Sequence, residues 1–144
     1  MLTSISKEFH WEMSHRLPYH NGHCKNIHGH SYKLQLKIEG EPDIKGILID
    51  FYDLEFIVIP IINRLDHSFA VDSNDFAVLE FLKRHNFKYE VLEKYTTAEN
   101  LAELFLKEIS SKILVYTNIY KISIKVFETI DAYAEVSLNL KNNN

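Results

Sequence analysis

Residues 28–39 read His28-Gly29-His30-Ser31-Tyr32-Lys33-Leu34-Gln35-Leu36-Lys37-Ile38-Glu39. Tyr32, Leu34, Leu36 and Ile38 alternate with Ser31, Lys33, Gln35, Lys37 and Glu39. A period of two describes a strand with one apolar face. His28 and His30 have the parity of that apolar side. Upstream, Ile5 to His15 alternates in the same way: Ile5, Phe9, Trp11 and Met13 fall on one face, and Ser4, Ser6, Glu8, His10, Glu12 and Ser14 on the other. His15 shares the parity of the buried set. Between the two strands, Pro18 to Ile27 reads as a loop, with Asn21-Gly22 as its turn signal.

Downstream, Gly40 to Gly46 is a connection containing Pro42, and Ile47 to Ile49 is a candidate continuation of the sheet. Leu54, Ile57, Val58, Ile61, Ile62 and Leu65 recur at helical spacing, which predicts a helix over 51–65. Asp50 can cap it, with Asp53 three residues on, and Pro60 should kink or interrupt it. Asp66 to Asp75 reads as a polar loop, and Phe76 to His85 as a short helix. Phe87, Tyr89 and Val91 alternate as in a short edge strand. Thr96-Thr97-Ala98-Glu99 has capping-box spacing, ahead of a helix with Leu101, Leu104, Phe105 and Ile109 on one stripe. Ile119 to Glu128 and Tyr133 to Leu140 close the chain as two strands. The expected architecture is α+β, a four-stranded antiparallel sheet with helices packed on one face.

The chain has 144 residues, enough for one domain, 1–144, with a substantial core. Apolar residues make up 46%, which excludes a disordered chain. The net charge of -4 leaves no basic surplus for a nucleic-acid partner. No apolar run reaches the ~18 residues of a membrane span, and Met1 to Trp11 lacks the pattern of a signal peptide. One cysteine rules out an intrachain disulfide and fits a reducing, cytoplasmic setting.

The chemistry is concentrated in histidine. Of the 8 histidines, His10, His15, His20, His23, His28 and His30 lie within the first thirty residues. Residues two apart on a strand share a face, so His28 and His30 can meet one ion, and His15 on the neighbouring strand can supply a third ligand. Gly29 between them allows a close approach. Three imidazoles with an open fourth position suit catalytic Zn²⁺, although other divalent cations also accept imidazole. Cys24 precedes His28 in the loop. It reads either as a small buried hydrophobe or as a thiol activated as base or nucleophile. Asp66-His67 is either a solvated loop pair or an acid–base pair in which the carboxylate orients the ring. Glu128 has inward parity at the end of an apolar strand, where an unpaired charge costs several kcal/mol. It needs an internal salt bridge, a wet strand end, or a ligand edge with two parallel N–H groups. Glu99 is accounted for by the capping-box spacing with Thr96.

These residues together resemble the 6-pyruvoyltetrahydropterin synthase / 6-carboxytetrahydropterin synthase family. The matching stretches are FHWEMSHRLP (9–18), CKNIHGH (24–30), Ile49-Asp50-Phe51 through Leu65-Asp66-His67, Thr97-Ala98-Glu99-Asn100 and Val126-Phe127-Glu128-Thr129. The resemblance implies zinc on His15, His28 and His30, with Cys24 as catalytic base and Asp66 and His67 as proton-relay partners. It makes Glu128 the anchor of a pterin ring, assisted by Glu99. It also implies the T-fold, whose sheets join into a barrel in a homo-oligomer, usually a dimer of trimers, with active sites at subunit interfaces. The C-x3-H-G-H spacing looks like the 6-carboxytetrahydropterin synthases of queuosine and deazapurine biosynthesis. These are lyases that convert 7,8-dihydroneopterin triphosphate to 6-carboxy-5,6,7,8-tetrahydropterin. A pyruvoyl-forming synthase and a non-catalytic pterin- or metal-binding module are the alternatives. Arg16, His23 and Lys25 are candidates for the triphosphate. The chain departs from the family pattern in a longer Phe69 to Tyr95 segment, in Thr96 where many relatives have proline, and in Phe127 where lysine is frequent.

Overall fold

Strands β1 (Thr3–His15) and β2 (His28–Gly40) pair antiparallel along their whole length, from Thr3 opposite Gly40 to His15 opposite His28. This computed structural model describes residues 1–141; the Asn142–Asn144 tail, expected to fray, lies outside the described residues. β5 (Ile119–Phe127) pairs with β2, and β6 (Tyr133–Asn139) with β5, both antiparallel. The alternation read from sequence is kept. Phe9, Trp11 and Met13 are buried, as are Tyr32, Leu34, Leu36 and Ile38, and Ile122, Ile124 and Val126 complete the apolar face.

Two helices cover that face. α1 (Phe51–Leu65) starts at Asp50, whose side chain accepts a 2.8 Å hydrogen bond from the Tyr52 N–H. It buries Leu54, Ile57, Val58, Ile61, Ile62 and Leu65. The helix runs through Pro60 without interruption. Pro60 is exposed, so the backbone carbonyl that its ring deprives of a partner lies on the solvent side. α3 (Ala98–Ile113) buries Leu101, Ala102, Phe105, Ile109 and Ile113. Its cap is Thr97, which accepts from the Asn100 N–H at 3.2 Å. The capping box expected from Thr96 to Glu99 is therefore corrected: the cap falls one residue later, and Glu99 has no part in it.

Among the described residues the sheet has six strands, not four: β3 (Ser68–Asp72) and β4 (Tyr89–Leu92) extend it beyond β1, in the order β4-β3-β1-β2-β5-β6. The segment read as a polar loop contains β3 (Ser68–Asp72), buried at every residue and parallel to β1. α2 (Phe76–Arg84) leads to β4 (Tyr89–Leu92), which pairs parallel with β3. Ala70 faces the main core, whereas Phe69 and Val71 pack with Val78 and Leu82 of α2 in a second cluster. Helices on one face therefore describes α1 and α3, while α2 covers the other side of β3. A strand buried on both faces shows no alternation, which is why Phe69-Ala70-Val71 was not readable as one. Ile47 to Ile49 is not a strand; Leu48 and Ile49 are buried in the bend that enters α1. Among the described residues, no helix is long and apolar enough to cross a membrane.

Phe105 is 0% exposed and Phe56 is 84% exposed. Denaturant unfolding should therefore show Phe105→Ala losing about 3–5 kcal/mol and Phe56→Ala less than about 0.5 kcal/mol. Equal losses would contradict this core.

Candidate active site

The antiparallel register puts His15 opposite His28, with His30 in the adjoining row beside Met13. All three side chains leave the apolar face at its open end. One ring nitrogen from each lies within 4.8 Å of the other two. The rings of His15 and His28 are 4.6 Å apart, and those of His28 and His30 4.9 Å.

The hydrogen bonds fix which nitrogens face the cluster. His15 Nδ1 lies 2.7 Å from the Thr96 carbonyl, and His28 Nδ1 2.7 Å from the Asn26 carbonyl. A carbonyl only accepts, so each Nδ1 carries its proton and each Nε2 is the nitrogen left for the cluster. His15 is 1% exposed, and its Nε2 has no hydrogen-bond partner among the described residues. Burial lowers its pKa to about 4, opposed by the Thr96 bond and reinforced by His28 and His30. Burial also lowers the His30 pKa. Three imidazoles with a ring nitrogen each close together, one of them buried and orphaned, are what a divalent cation requires. The donor set fits such a metal.

Glu128 stands one residue beyond β5, next in register to Tyr32. Its Oε1 is 3.9 Å from His15 Nε2. With His15 neutral, that contact is not an ion pair. Burial raises the Glu128 pKa, as does the charge of Glu99, against an opposing effect of His28. Glu99 itself is exposed on the first turn of α3. Beneath the cluster, Tyr32 stacks on Trp11 at 5.1 Å, and its buried hydroxyl has no hydrogen-bond partner among the described residues.

Asp66 and His67 form the turn between α1 and β3. The Asp66 Oδ2 to His67 Nδ1 distance is 2.9 Å. Asp66 Oδ1 accepts from the Glu12 N–H at 2.9 Å, and the His67 N–H donates to the Glu12 carbonyl at 2.7 Å. The Glu12 bond, then the His67 bond, hold the Asp66 carboxyl below its usual range. His67 has a φ of 53°, in the left-handed region that non-glycine residues seldom enter. His67 lines an open cleft of about 600 Å³ together with His28, His30, Gly29 and Ser31.

The structure thus joins the three histidines with Glu128, and sets His67, bonded to Asp66, on the cleft lined by His28 and His30. It does not bring Cys24 into the cluster. Cys24 lies half-buried on the 3-10 turn His23–Lys25, and neither the metal-competent group nor the cleft lining includes it. Arg16 is committed elsewhere: its guanidinium grips Asp75 bidentately at 2.6 and 2.7 Å. His23 and Lys25 are exposed beside Cys24. Sequence reasoning missed Thr96, which is 0% exposed and holds His15, and the backbone of Glu12. A buried threonine next to a cap was the available signal for the first; a backbone contact leaves none.

An α+β sheet with a three-imidazole cluster and a hydrogen-bonded Asp–His pair at one end of its central strands defines a protein of the T-fold with a metal-competent cleft. Residues 4–139 match the family described as 6-pyruvoyl tetrahydropterin synthase, and the chain belongs to that family. It is 34% identical over 139 residues to the 6-carboxy-5,6,7,8-tetrahydropterin synthase of Haemophilus influenzae, covering 91% of this chain and 96% of that one. Identity to the synthase of the same name from Rickettsia conorii is 28%, over 94% of this chain and 100% of that one. The crystal structure of 6-pyruvoyl tetrahydropterin synthase from Plasmodium vivax shares the fold, with a TM-score of 0.80 at 20% identity over 96% of this chain and 99% of that one.

Metal-stripped protein should take up one Zn²⁺ per chain in a chelator competition. His30→Ala should weaken that binding by more than the about 10- to 100-fold that loss of an outer-sphere partner costs. Affinity within threefold of the unsubstituted chain would contradict the cluster as the binding site.

Proposed function

We propose that this chain is a zinc-dependent lyase, a 6-carboxy-5,6,7,8-tetrahydropterin synthase. It converts 7,8-dihydroneopterin triphosphate and one water into 6-carboxytetrahydropterin, acetaldehyde and triphosphate. The reaction is balanced without an external oxidant or reductant: the ring is reduced while a side-chain carbon is oxidised to the carboxylate. The observation that carries the reading is the three-imidazole cluster with a carboxylate 3.9 Å from its buried nitrogen. The relatives named as 6-carboxytetrahydropterin synthases and the C-x3-H-G-H spacing support it over the pyruvoyl-forming alternative.

Each group has a role that its surroundings allow. His15, His28 and His30 would hold the cation. A bound Zn²⁺ supplies a Lewis acid for the substrate's side-chain hydroxyls. Glu128 accepts two parallel N–H groups from the 2-amino/N3 edge of the pterin, with Glu99 beside it. Cys24, as thiolate, removes a carbon-bound proton. His67, oriented by Asp66, returns protons as triphosphate and then aldehyde leave. Cys24 sits outside the cluster, so substrate must bridge from the metal side of the cleft to the loop. We assign the cleft to a site completed by further copies of the chain, as in the barrel-forming oligomers of this family. Residues 1–144 act as one domain, and the single cysteine favours a reducing, cytoplasmic setting.

Metal-loaded protein incubated with 7,8-dihydroneopterin triphosphate should give the mass of a carboxy-pterin, together with acetaldehyde. A pyruvoyl-pterin mass would replace this reading with its sister reaction. Pterin binding without triphosphate release would indicate a non-catalytic module. Cys24→Ala should keep the fold and the metal while turnover falls by at least about 100-fold; turnover near that of the unsubstituted chain would remove Cys24 from the mechanism.

A further inference from the structure

The Asp66–His67 turn is costly to hold. His67 lies in left-handed backbone at φ 53°, a strained state that persists where neighbours over-determine it. The last carbonyls of a helix also lack intrahelical partners. At the end of α1, both needs are met by one residue of the chain that leads into β4. Lys88 Nζ donates to the Asn63 carbonyl at 2.7 Å and to the Asp66 carbonyl at 2.7 Å. The Lys88 backbone carbonyl accepts from the Phe69 N–H at 3.1 Å. Lys88 therefore brackets residues 66–69 from both ends. Its ammonium also sits at the negative end of the α1 dipole, where a cation is favoured. The opposite side of the turn is held by the Glu12 backbone.

We propose that Lys88 is a positioning residue for the Asp66–His67 pair, and that the β3–α2–β4 segment serves the reaction by delivering it. Lys88 touches no reacting atom in this scheme. It acts by fixing the carbonyl of Asp66, and through it the direction in which the His67 ring enters the cleft. Small displacements of an acid–base group cost rate rather than ground-state binding. The catalytic half of this inference rests on the proposed synthase reading; the structural half does not.

The test uses the full chain with Lys88→Met and Lys88→Arg. Hydrogen exchange read by mass spectrometry over residues 64–69 should speed up about tenfold in Lys88→Met, while peptides of β2 and β5 stay unchanged. With 7,8-dihydroneopterin triphosphate, whichever pterin is formed, kcat should fall about tenfold with KM within about twofold. Lys88→Arg, which keeps the charge and donors, should restore both. Unchanged exchange at 64–69, equal acceleration in β2 and β5, a KM effect without a kcat effect, or failure of arginine to rescue would each overturn the proposal. An unsubstituted chain that leaves the substrate intact would refute the synthase reading, and the exchange data alone would then decide whether Lys88 holds the turn.

Discussion

The pairing of β1 with β2 is the constraint on which the rest depends. All 13 residues of each strand are in register. A slip of one residue would send every inward side chain to the other face. The same register that buries Trp11, Tyr32, Leu34 and Ile38 also sets His15 opposite His28 and brings His30 alongside. Core and candidate metal centre are thus two ends of a single alternating pattern. The large apolar burial at one end holds three imidazoles together at the other, which they would not do unaided.

The outer partners come from distant parts of the chain. Thr96, just ahead of α3, and Asn26, just ahead of β2, fix the two ring tautomers. Glu128 arrives from the end of β5. The Asp66–His67 turn is pinned against the backbone of β1 at Glu12. Packing of α1 and α3 on one sheet face therefore does more than close the core. It delivers the Asp66–His67 pair and the Thr96 partner of His15 to the same end of β1. The bidentate Arg16–Asp75 contact belongs to this framework, tying the end of β1 to the start of α2.

Much of this was legible in the residues. Alternation placed four strands and the parity of His15, His28, His30 and Glu128, and helical spacing placed α1 and α3. Three features were hidden, each for a physical reason. β3 is buried on both sides and so carries no period of two. Thr97 rather than Thr96 caps α3, because Thr96 is turned into the core against His15; spacing alone cannot choose between adjacent threonines. Arg16 looked free for an anion until α2, more than fifty residues away in sequence, presented Asp75. Contacts between elements that no local pattern links are the ones a single sequence conceals.

X-ray absorption at the zinc edge, on protein carrying one equivalent of Zn²⁺, tests the central claim most directly. Convergence of His15, His28 and His30 predicts three imidazole nitrogens at about 2.0–2.1 Å, without a sulfur neighbour. That signal should disappear in His28→Ala. A sulfur shell at about 2.3 Å, or a spectrum unaltered by loss of His28, would contradict it.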